Sequence, residues 1–257
     1  MEKSRLPTPS YCKKIEVEVT ERLYRNNVVV SLYLASFGVC MKEREYVKAA
    51  IIVAHPDDET IWAGGTVLSH SDWHWTIVSL CRGSDTDRAP KFIRAAQQLG
   101  AVSAIGDLDD GPEQSPLSEM DVQQAVLSLL PETYFDHILT HSPYGEYTRH
   151  RRHEETGTAV ASLWEKGLIK AKEVWMFAYE DGGKGGKTDL PKAIKTAHMK
   201  SYLPEDIWRR KYIIITNTYG FAPESYEADI VGREEAFWCF QSPSEFREWL
   251  ETKRRKR

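Results

Sequence analysis

The chain has 257 residues, a net charge of −4, and 41% apolar and 11% aromatic residues. This is enough to bury a core without disulfide or metal staples, and too apolar for a disordered chain. The near-balance of 34 basic and 38 acidic residues argues against a nucleic-acid binder, and no apolar run reaches the roughly 18–20 residues of a transmembrane helix. No apolar signal core follows Met1-Glu2-Lys3-Ser4-Arg5, and Cys12, Cys40, Cys81 and Cys239 form no C-x-x-C pair, so a cytoplasmic protein with free thiols is expected.

Along the chain, residues 1–45 are mixed in character, with one strand-like run at 28–34, and read as an N-terminal extension of uncertain structure. Residues 46–257 read as one catalytic domain. Its continuous apolar runs are 49–54 (AAIIVA), 76–81 (TIVSLC), 137–140 (HILT), 174–179 (VWMFAY) and 212–216 (YIIIT). Such runs predict strands buried on both faces. Between them, Pro90 opens a helix with Phe92, Ile93, Ala96 and Leu99 on one face and Gly100 at its end. Ser118 with Asp121 predicts the cap of a second helix, and 154–166 and 192–198 are further helix candidates. The alternation predicts a layered, Rossmann-like α/β fold with a mostly parallel central sheet flanked by helices. The five basic residues 253–257 suit the end of a helix, where positive charge meets the negative end of the dipole.

In open α/β sheets ligands bind beyond the carboxyl ends of the strands, and two clusters fall there. Ala54-His55-Pro56-Asp57-Asp58-Glu59 follows the first strand. His55 and Asp58 are ligand types three residues apart, Pro56 stiffens the turn, and Asp57 is a second carboxylate free to handle protons. The stretch from His141 to His153 follows the third strand, and His150 and His153 stand three apart at a helix start. One imidazole from that pair would complete a set of two His and one Asp. Three nitrogen and oxygen ligands with an open position suit catalytic zinc, and the same set suits iron(II). Taken alone, His-x-x-Asp is commonly a turn feature and His-x-x-His commonly a helix surface; it is their shared position on the rim that makes one site of them.

These residues resemble the LmbE-like (PIG-L) family of zinc-dependent N-acetylglucosaminyl deacetylases. The first cluster matches the family's AHPDDE, and Gly145 to His153 matches its GEY-x-x-H-x-x-H. Cys81-Arg82-Gly83, Ala95 to Gly100, Asp110-Gly111 and Glu235-Ala236-Phe237 add weaker support, so the likeness spans roughly residues 48 to 240. The resemblance implies His55, Asp58 and His153 as metal ligands for Zn2+, with Fe2+ as the alternative. It implies Asp57 as general base and His150 as the partner or acid that steadies the tetrahedral intermediate. It implies Arg82 and Asp110 as substrate contacts, and Glu59 as a support of the turn. The substrate implied is a small N-acetylated amino-sugar conjugate, with homo-oligomer formation left open. Arg149, Arg151 and Arg152 depart from the family, which often has Gly before the first histidine and Pro-Asp between the two; the missing Asp at 152 removes an orienting carboxylate. The family's late histidine is echoed loosely by His198 with Ser201.

Two other readings follow from the residues. A family member that kept the metal and lost catalysis would lack the proton-handling groups, and Asp57 and His150 are both present. The glycine-rich loop 182–188 (GGKGGKT) looks like a phosphate-cradling loop of a nucleotide-binding protein. Asp181 stands where that pattern needs glycine, and Pro191 delays the following helix.

Overall fold

The apolar runs that lack alternation become strands covered on both faces. The computed structural model describes residues 46–147, 149–182 and 190–255. The chain divides into two units, Met1–Glu43 and Arg44–Arg257. The first, with the run at 28–34, lies outside the described residues, as does most of the glycine-rich loop. The second unit opens with β1 (Lys48–Val53), α1 (Asp58–Ser69), β2 (His74–Cys81), α2 (Arg88–Gln98), β3 (Val102–Leu108), α3 (Glu119–Leu129), β4 (Tyr134–Thr140), α4 (Arg151–Glu165) and β5 (Lys170–Phe177). It continues with β6 (Tyr179–Glu180), β7 (Lys192–Ala193), β8 (Met199–Tyr202), α5 (Glu205–Ile213), a π-helical turn (Ile214–Thr218), α6 (Tyr226–Asp229), β9 (Glu234–Phe240) and α7 (Pro243–Arg255).

Seven strands form one sheet in the order β3-β2-β1-β4-β5-β9-β8. The five strands from β3 to β5 pair in parallel, and β9 and β8 add on antiparallel. Consecutive β1 residues face opposite layers, as the pleat requires. Ile51 and Val53 pack with Trp62, Phe92 and Phe237, whereas Ala50 and Ile52 pack with Val126, Val160 and Phe240. Strand order reverses between β1 and β4, which is the switch point where such sheets bind ligands. Both sequence clusters leave the sheet there.

Two predicted elements are corrected. The run 212–216 is helical, formed by the end of α5 and the π turn. Lys211, Ile214 and Ile215 are buried while Ile213 is exposed, a one-sided helical pattern that a continuous apolar run conceals. The segment 192–198 is not a helix; β7 pairs with β6 and a turn follows. The α3 cap is as expected, with Ser118 Oγ accepting from the Asp121 amide at 3.1 Å. Among the described residues no helix is long and apolar enough to cross a membrane.

The antiparallel extension anchors α1 from below. The Glu235 carboxylate, fully buried on β9, accepts from the Gly65 and Thr66 amides at 2.8 and 2.7 Å. It also meets the buried Lys211 ammonium at 2.7 Å. Gly65 is required here, because a Cβ would collide with Leu203. Lys211→Met should destabilise the fold by about 3–5 kcal/mol, since it leaves a buried carboxylate without its countercharge. Denaturant unfolding of the two proteins checks this, and a difference under 1 kcal/mol would contradict the role given to the pair.

Candidate metal centre

The turn after β1 is built to present two adjacent carboxylates in different directions. Asp57 takes φ of 105°, outside the ordinary range for a residue with a side chain, and its carbonyl receives the Thr60 and Ile61 amides that start α1. Glu59 holds this conformation, as expected of a supporting residue. Fully buried, it accepts from the Asp57 amide at 3.0 Å and from the Tyr219 hydroxyl at 2.8 Å. Asp58 is the first residue of α1. Its Oδ1 accepts from the Trp62 indole at 3.1 Å and its Oδ2 from the His55 amide at 2.9 Å, so Oδ2 is aimed at His55.

The second cluster arrives on α4. Gly157 lets this helix lie directly on the chain after β4, because a Cβ there would strike the His141 carbonyl. The close approach brings His153 over the turn. His55 Nδ1, Asp58 Oδ2 and His153 Nε2 then form a triangle with sides of 3.2, 3.2 and 3.3 Å. At metal–ligand distances of about 2.0–2.1 Å, tetrahedral ligand atoms stand about 3.3–3.4 Å apart, so these three atoms fit one divalent ion. His150 joins the group: its ring packs edge-on to His55 at 4.7 Å and stacks on His153 at 4.5 Å. His150 Nδ1 is buried with no hydrogen-bond partner, a polar atom left facing its neighbours.

Each imidazole of the triangle is fixed from behind. His55 Nε2 lies 3.2 Å from Asp110 Oδ1, and His153 Nδ1 lies 2.6 Å from Glu146 Oε2. These contacts place the ring protons on the outer nitrogens and leave the inner lone pairs for a metal. The orienting carboxylate missing at position 152 is thus supplied by Glu146, which also meets His141 Nδ1 at 3.0 Å. Arg152 has a different task. Fully buried, it holds the Asp109 and Ser115 carbonyls and so fixes the loop that carries Asp110.

His141 stacks on His153 with ring centroids 4.0 Å apart and comes within 3.4 Å of Asp58 Oδ2. Burial disfavours its charged form, but Glu146 and Asp58 outweigh this and draw it up to about 9. Its Nε2 accepts the Ala54 amide at 3.0 Å, which occupies the one lone pair this nitrogen could offer a metal. Burial of Asp58 is outweighed by His153 and His141, which hold its carboxyl well below the ordinary range. For Asp57, burial and the Asp58 charge push the carboxyl well up, opposed by Arg88, whose guanidinium sits 3.0 Å from Oδ2. Burial and the neighbouring His153 and His55 push His150 down to about 4, so this imidazole is neutral at pH 7.

A cavity of about 340 Å3 opens over these groups. Asp57, His150 and Arg82 line it on the polar side, and Ile61, Trp62, Tyr147, Tyr226 and Ile230 on the apolar side. The structure brings all seven sequence-selected residues to one cavity. The oxygens of Asp110 are engaged by His55 at 3.2 Å, by Gln114 at 2.7 Å and by Arg82 at 2.7 Å. Sequence reasoning missed Glu146 and Arg88. For Glu146 a signal was available, a lone carboxylate between the strand-end histidine and the helix pair. His198 bonds to the backbone of Cys239 and lines neither this cavity nor the neighbouring ones.

The fold and site define an LmbE-like α/β domain with a candidate His/Asp metal centre at its topological switch point. Residues 50–164 match the model of the PIG-L family, described as GlcNAc-PI de-N-acetylase, so the chain is similar to that family over those residues. The fold is similar to N,N'-diacetylchitobiose deacetylase from Pyrococcus horikoshii, with a TM-score of 0.56, 17% identity, and coverage of 77% of this chain and 85% of that one. It is also similar to the zinc inhibited form of teicoplanin deacetylase Orf2, with a TM-score of 0.56, 14% identity, and coverage of 76% of this chain and 99% of that one. At such identities the likeness establishes the fold. No curated protein matches the chain in sequence. The family match supports a hydrolase that acts on amide bonds.

Proposed function

We propose that the protein is a zinc-dependent deacetylase that removes the acetyl group from an N-acetylglucosamine-type conjugate. The observation that carries this reading is the 3.2–3.3 Å triangle of His55, Asp58 and His153 beside a carboxylate, Asp57, that stands outside it. A divalent ion held there supplies Lewis-acid polarisation and acidifies water. Asp57 then takes the proton of the attacking water and returns it to the leaving nitrogen. Arg88 holds Oδ2 of Asp57, which leaves Oδ1 for that proton. Neutral His150 offers a ring N–H to the developing oxyanion. Arg82, with its side chain 46% exposed at the cavity mouth, contacts the sugar or its substituent.

Chelation tests the reading. Amine release from N-acetylglucosamine, chitobiose and related conjugates should fall at least a hundredfold after metal removal and return with Zn2+ or Fe2+. Undiminished release from protein shown by elemental analysis to be metal-free would sink it.

A further inference from the structure

Trp62 lines the cavity over the metal centre, and its one polar group is committed to a ligand residue. Asp58 opens α1, and Trp62 stands one turn further along the same face of the helix. The Trp62 indole N–H donates to Asp58 Oδ1 at 3.1 Å, and both side chains are buried. The two oxygens of this carboxylate therefore have different surroundings. Oδ1 receives the indole proton. Oδ2 accepts the His55 amide at 2.9 Å and forms the triangle with His55 Nδ1 and His153 Nε2. The indole itself is held by three rings: its centroid lies 4.8 Å from that of Tyr179, 5.9 Å from Tyr147 and 6.4 Å from Phe177. A ring packed in this way cannot follow Oδ1. Rotation of the carboxylate would break the bond and leave a buried N–H without an acceptor, which is costly.

A carboxylate can bind a cation through one oxygen or through both. Bound through both, Asp58 would fill a position that a catalytic zinc keeps open. We propose that Trp62 is a positioning residue, which restricts Asp58 to ligation through Oδ2 alone and so keeps that position open. Trp62 acts through Asp58 and not on the reacting atoms. The inference rests on the metal-centre reading given above and adds to it what decides how many oxygens Asp58 contributes.

Two variants of the full chain test it. Trp62→Phe keeps an aromatic ring among Tyr147, Phe177 and Tyr179 and removes the N–H. Tyr179→Phe disturbs the same ring cluster and keeps the N–H. The readouts are Zn2+ affinity, measured by chelator competition, and the d–d absorption of the Co2+-loaded protein, which weakens as coordination number rises. Trp62→Phe should bind Zn2+ about 10–100-fold more weakly, the usual loss when the orienting partner of a ligand is removed. It should also lose Co2+ absorption, as the freed Oδ1 turns to the ion. Tyr179→Phe should match the parent in both. Either readout unchanged in Trp62→Phe, or the same changes in Tyr179→Phe, overturns the role given to the indole. If circular dichroism finds Trp62→Phe unfolded, nitrogen-15 NMR of the parent decides. The Trp62 indole proton, identified by its proximity to the Tyr179 ring, should keep its hydrogen-bonded shift when Zn2+ is added. A move upfield toward the shift of a free indole would mean that the ion has taken Oδ1, and overturns the restriction. Failure of the two readings is distinguishable. A parent that binds neither Zn2+ nor Co2+ removes the metal centre and this inference with it. A parent that binds both, with a Trp62→Phe protein indistinguishable from it, removes this inference alone.

Discussion

Asp57→Asn is expected to lower turnover of N-acetylated substrate by about 10²–10⁴ while leaving the metal content of the protein unchanged. The substitution keeps shape and hydrogen bonding and removes the one property that the reaction needs, an oxygen that can accept a proton. Asparagine also tolerates the positive φ of this position better than alanine, so the turn that carries His55 and Asp58 survives. Its amide oxygen can still accept from Arg88. The ligand triangle does not include residue 57, and metal binding has no reason to change. Steady-state amine release together with elemental analysis of the purified variant decides the matter. Turnover within threefold of the parent would remove Asp57 from the chemistry.

Much of this centre was legible in the sequence because its parts lie at the ends of the most apolar strands. The runs at 49–54 and 137–140 are buried on both faces, and the residues that follow them, 55–59 and 141–153, leave the sheet at its switch point. Ligand-type residues at those positions converge as a consequence of topology. Edge and late elements were less legible for physical reasons. β3 is half-exposed along its length and carries Gly106 and Asp107, so it lacks the apolar run of a central strand. β8 is an edge strand with Lys200 and Ser201 in its middle. The run 212–216 is as apolar as a strand but belongs to a helix that shows one face to α1 and the other to solvent.

The roles of second-layer residues were the least legible. Asp110 lies 55 residues from the imidazole that it meets, and nothing in its local sequence announces that contact. Arg152 departs from the family pattern, and its charge says nothing of burial. Only in the fold does it become a clamp on the loop bearing Asp110.

Glu146 is where that second layer should matter most. Its two oxygens bridge His141 and His153, and both histidines are buried. Burial would raise its carboxyl, but the two imidazoles outweigh burial and bring it down to about 2, against an ordinary value of 4.5. A depressed carboxyl stabilises the fold fully above the unfolded value and loses that contribution as pH falls. The bridge should therefore be intact above about pH 5 and lost as pH drops toward 2. Glu146→Gln keeps the volume but presents an NH2 where one imidazole N–H needs an acceptor. Either His153 or His141 must then turn or change tautomer, and a His153 that carries its proton on Nε2 has no lone pair for a metal. Metal affinity should fall by about 10–100-fold, the usual loss when an orienting partner of a ligand histidine is removed. Turnover at saturating metal should change far less than it does in Asp57→Asn, because Glu146 touches neither substrate nor proton. Competition against a calibrated chelator measures the affinity, and saturation with added Zn2+ separates the two effects. An affinity within twofold of the parent would mean that His153 is held in place by its packing against His141 and His150, and that the carboxylate behind it is dispensable.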